Sequence, residues 1–145
     1  MYQRILLAYD GSESGQKALL EGHDIAQWSK AQIYLVAVMP NPAAFIAVDG
    51  GVYDAGRDEL ERKRFNAILD EGLDRLRQAG HNVQGELLIG DSVHEITTYA
   101  RKIGADLIVV GHKHLEGWAA RWWRGSTSGS LIENAHCNVL VVITH

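Results

Sequence analysis

Along this 145-residue chain, apolar runs bounded by turn residues alternate with stripes of helical period. Residues 4–9 (RILLAY) are predicted as a buried strand, stopped by Asp10-Gly11-Ser12. Ala18, Leu19, Gly22, Ile25 and Ala26 then recur at helical spacing, placing a first helix over about 14–29. IYLVAV (33–38) reads as a second strand, halted near Pro40 and Pro42. The stretch to about Gly56 is irregular yet apolar, with Ala43, Ala44, Phe45, Ile46 and Val48. A charged helix follows to Gly80, its inward stripe formed by Phe65, Ile68, Leu69, Leu73 and Leu76.

Residues 83–89 are the third strand, and Gly90-Asp91 turns into a helix with Val93, Ile96, Ala100 and Ile103 on its buried face. Ser92 and Glu95 have the spacing of a capping box there. Residues 106–110 and 139–143 are the last two strands, with a helix opened by GSTS (125–128) between them. This β-α-β-α-β-α-β-α-β order implies a single α/β domain over 1–145. A parallel, doubly wound sheet would carry helices on both faces, joined by right-handed crossovers. Such sheets hold ligands beyond the carboxyl ends of their strands, near the switch point. Asp10, Val38 and Gly111 fall at three such ends.

The formal net charge is -4, but the segment after Gly111 carries Lys113, Arg121 and Arg124 against one acid, Glu116. A basic loop in an acidic chain points to a local anionic ligand and away from nucleic acid. Gly111 lets the chain turn at a strand end and a ligand approach the backbone. Gly125, Ser126 and Thr127 put amides and hydroxyls at a helix start, where an anion is favoured. No window approaches the roughly 20 apolar residues that span a bilayer. The opening apolar run is too short for a secretory segment, and the single Cys137 fits a reducing compartment; cytoplasm is the expectation.

Together these residues resemble the universal stress protein family. ILLAYDGSESGQKAL is similar to the family's first strand and Asp-Gly-Ser turn. GDSVHEITTYARKIGADLIVVG resembles its third helix and fourth strand, and GSTSGSLIENAHCNVLVV its C-terminal helix and last strand. The resemblance implies an adenine nucleotide alpha-hydrolase-like sheet of order 3-2-1-4-5 that binds ATP with Mg or Mn as a stress-response regulator. By it, Asp10 and Gly11 hold the adenosine end, with Asp10 also near the nucleotide-bound metal. Val38 contacts adenine, and Val110, Gly111, His114, Gly125, Ser126, Thr127 and Ser128 surround the phosphates. The family's ATP-binding pattern is departed from in two places. His114 stands where a second glycine belongs, and ten residues, Leu115 to Arg124, precede Gly125, one more than the family spacing. A non-binding member acting as a dimeric interaction protein is therefore the alternative. The resemblance further implies a homodimer through Val139 to Thr144 (VLVVIT), an apolar edge that calls for a mate. An unidentified protein partner would listen to the nucleotide state.

Several residues carry two readings. Asp10 either meets the ligand or is a turn residue or N-cap. Gly125-Ser126 and Ser128 either bind phosphate or begin a helix. Lys113, Arg121 and Arg124 either screen a triphosphate or form a solvated face. Trp118, Trp122 and Trp123 are a flap, a docking patch or core. His112-x-His114 lacks nearby cysteines or carboxylates to complete a zinc site, so a hydrogen bond to phosphate is the better reading. Cys137 reads as a small core residue. Neither G-x-x-x-x-G-K-[ST] nor a nucleophile–base pair occurs, so the chain reads as a binder with at most slow ATP hydrolysis.

Overall fold

The computed structural model describes residues 1–41, 55–113 and 127–144, the side chains at 55, 113 and 127–130 excepted. The elements are β1 (Arg4–Ala8), α1 (Glu13–Ser29), β2 (Gln32–Met39), α2 (Ala55–Gln78), β3 (Val83–Ile89), α3 (Ser92–Ile103), β4 (Leu107–Lys113), α4 (Thr127–Asn134) and β5 (Asn138–Thr144). All strand pairs are parallel, in the order β3-β2-β1-β4-β5, as the sequence pattern and the resemblance imply.

Alternation along the strands splits the core into two layers. Ile5, Leu7 and Tyr9 pack with Ala18, Leu19 and Leu73 under α1 and α2. Leu6 and Ile108 pack with Ile96, Ala100 and Leu131 under α3 and α4. Central strands buried on both faces must be continuously apolar, which is why β1 and β4 stood out. At the amino ends, Asp106 ties β1 to β4: its carboxylate accepts from the Gln3 amide at 2.8 Å and the Arg4 amide at 3.1 Å.

Helix ends follow local chemistry. Ser12 caps α1, its hydroxyl accepting from the Gly15 amide at 3.0 Å. The helix stops at Lys30, a left-handed residue with φ 59° whose amide returns to the Ala26 carbonyl. For α3 the capping-box reading is off by one residue. Asp91 is the cap, accepting from the His94 amide at 3.0 Å, and Ser92 is already helical. Asp and Ser are comparable caps, so the residue with extended backbone takes the role.

Candidate functional site

The switch point lies between β1 and β4, because the chain winds outward from β1 to β3 and then restarts on β1's other side. At the end of β1, the Tyr9 amide still bonds the Val36 carbonyl at 2.9 Å, and Gly11 turns the chain with φ +81°. Asp10 is exposed there; its Oδ1 accepts from the Ser12 amide at 2.9 Å and also from the Ser12 hydroxyl. Asp10 is thus the turn residue, and the cap of α1 is Ser12. The turn holds one face of the carboxylate while leaving the group at the crevice.

β4 runs further than the pattern suggested. Gly111 does not end the strand; it pairs with Val142, and His112 and Lys113 continue opposite Ile143 and Thr144. The glycine serves a close approach of another kind. A Cβ at 111 would lie 2.2 Å from the Ser14 carbonyl oxygen and 2.7 Å from the Gly15 nitrogen. The first turn of α1 thus rests on β4 where a side chain would stand. Among the described residues the buried polar side chains are Ser14, Thr97 and His112, and two of these three flank this contact. Ser14 was not singled out in the sequence, because a serine in a helix's first turn carries no local sign of burial.

Tyr9 anchors the second helix to the same strand end. Its hydroxyl donates to Glu71 Oε1 at 3.1 Å, and Arg75 Nε donates to that oxygen at 3.0 Å. Burial first, then the Glu71 carboxylate, pushes the phenol up to about 12. Val38 is half-buried in the α3 layer opposite Leu88, and Val110 is buried there beside Ala8. Crevice contact for these two would run through backbone as well as side chain. His114, Gly125 and Ser126 lie outside the described residues, as do Arg121, Arg124, the three clustered tryptophans and the apolar stretch 43–48. Thr127 and Ser128 open α4. Among the described residues no group of three or more His, Cys, Asp or Glu could hold a metal, and no helix is long and apolar enough to cross a membrane. Cys137 is half-buried, and burial, then Asp106, raises its thiol pKa, so it stays protonated at neutral pH.

A five-stranded parallel sheet with helices on both faces and its switch point between β1 and β4 defines a doubly wound α/β protein. The model of the universal stress protein family matches residues 1–142. Universal stress protein MJ0531 of Methanocaldococcus jannaschii is 31% identical over 146 residues, covering 98% of this chain and 82% of the relative. The chain belongs to the universal stress protein family. Among solved structures, a universal stress protein in complex with cAMP superposes with TM-score 0.69 at 24% identity, covering 97% of this chain and 96% of that one. The Archaeoglobus fulgidus universal stress protein in complex with dAMP gives TM-score 0.69 at 21% identity, covering 97% and 98%.

Proposed function

We propose that this protein binds ATP, with Mg or Mn, at the carboxyl ends of β1 and β4 and uses the nucleotide as a regulatory signal in the cytoplasm. The carrying observation is the meeting of Asp10, Ser12 and the first turn of α1 with Gly111 at the switch point. Relatives of the same fold in complex with cAMP and dAMP support an adenine nucleotide as the ligand. Asp10 and Gly11 take the adenosine end, and the strand at Val38 takes adenine. Val110, Gly111, His114, Gly125, Ser126, Thr127 and Ser128 surround the phosphates. Asp10 offers a hard oxygen near a cation held mainly by the nucleotide's own phosphates. A phosphate chain draws in both unpaired amides and the side chains of Lys113, Arg121 and Arg124, so binding fixes the segment between Lys113 and Gly125 in a form for a partner protein to read.

The proposal includes a homodimer through β5. That strand is an edge of the sheet, with Val139, Leu140 and Val141 half-buried and Ile143 43% exposed. Sedimentation at micromolar concentration is expected to give a dimer, and a monomer would reject this part. The alternative, a dimeric interaction protein without nucleotide, is favoured by His114 and the longer spacing to Gly125. Denaturing the purified protein and chromatographing what it releases separates the two. Released ATP is the expected result. No nucleotide, together with no ATP-dependent protection of the segment between Lys113 and Gly125 from protease, would favour the alternative.

A further inference from the structure

We propose that His23 and His81 form an acid-released latch between α1 and the turn joining α2 to β3. Their rings meet edge to face, perpendicular and 4.6 Å between centroids. The neutral pair is favourable in this arrangement, since the positive edge of one ring faces the negative face of the other. His81 is held in place by its backbone: its amide donates to the Leu76 carbonyl at 3.1 Å, after Gly80 turns the chain. His23 sits on the inner flank of α1, beside a cavity of about 110 Å³ shared with Leu19, Leu76 and Arg75.

Burial and the repulsion between the two rings' charges make double protonation unfavourable, and the neighbouring charges do not offset it. From α1, Asp24 Oδ1 lies 3.1 Å from His23 Nδ1, but its side chain is 77% exposed and serves one ring only. From α2, Arg75 also lines the cavity, but its charge is largely offset by Glu71, whose Oε1 accepts from its Nε at 3.0 Å. Burial, then the charge of His23, lowers the His81 pKa below its ordinary 6.5. The unfolded chain therefore takes up this proton first. The latch's contribution is complete above about pH 6.5 and is lost as pH falls through the folded-state value of His81. α1 is also the helix whose first turn rests on Gly111, so the latch steadies the middle of the element that shapes the crevice.

The test is an NMR titration of the imidazole carbons of the full chain, with His81→Gln used for assignment. The His81 midpoint is expected below 6.5 and is expected to rise toward it in His23→Gln. The drop in melting temperature from about pH 7.5 to about pH 5.5 is expected to be smaller in His23→Gln than in the parent chain. A His81 midpoint at or above 6.5 that ignores His23→Gln would overturn the latch. So would an acid-induced drop of equal size in both chains.

Discussion

At the carboxyl end of β1 the chain enters α1 through Asp10, Gly11 and Ser12; at the carboxyl end of β3 it enters α3 through Gly90 and Asp91. Both turns use a glycine of positive φ, an acid and a serine. At β3 the acid caps the helix directly through the His94 amide. At β1 the serine caps, and the acid stands one step back, tied to the turn and exposed. The surroundings differ as well. α1 lowers its backbone onto Gly111 of the neighbouring strand, whereas the atoms nearest a Cβ on Gly90 would be those of the flexible Glu95 side chain. Similar local chemistry thus does different work according to place. At the sheet's edge it only starts a helix, and at the switch point it also presents a carboxylate.

The sharpest way to break this comparison is Gly111→Ala. The obstacle is helix backbone, which has no rotamer to move, so a loss of about 3 kcal/mol is expected in urea denaturation, with nucleotide binding lost alongside. Next is Asp10→Asn, which keeps the turn's shape but removes the charge. ATP affinity is expected to fall about tenfold by calorimetry while stability changes by less than about 0.5 kcal/mol. Asp91→Ala is the mirror case: a stability loss of about 1 kcal/mol from the missing cap, with nucleotide affinity unchanged. Should Asp91→Ala weaken binding as much as Asp10→Asn, the division of labour between the turns is wrong.

The smallest effect appears only in alkali. Because the Tyr9 phenol is raised in the folded state to about 12, its contribution is complete below the unfolded value near 10 and is lost as pH rises toward 12. Tyr9→Phe is expected to flatten that part of the stability profile. An unchanged profile would mean that Glu71 does not hold this strand end as described.

The strands were legible because a parallel sheet covered on both faces demands unbroken apolar runs, and the helical stripes because their buried faces repeat at helical spacing. Leu69, Leu73, Ile96 and Ala100 are buried as that spacing predicts. The end of β4 was not legible. His112 and Lys113 look like loop residues, yet they pair with Ile143 and Thr144, and His112 is only 6% exposed. The purpose of Gly111 was hidden for a related reason: its partner, the Ser14–Gly15 backbone, is remote in sequence and becomes a neighbour only when α1 packs on β4. Asp91 and Ser92 are both good caps, so pattern alone left a one-residue ambiguity. The place of Asp10 at the carboxyl end of β1 was legible because strand ends and topology survive errors of a residue or two.

The central claim is that nucleotide binds where β1 and β4 part, despite His114 and the lengthened loop. Calorimetric titration of nucleotide-free protein with Mg-ATP, beside Gly125→Val, tests it most directly. A dissociation constant on the order of micromolar is expected in the parent chain, with no measurable heat in the variant. No heat from the parent chain up to millimolar ATP, or equal binding by Gly125→Val, would contradict it.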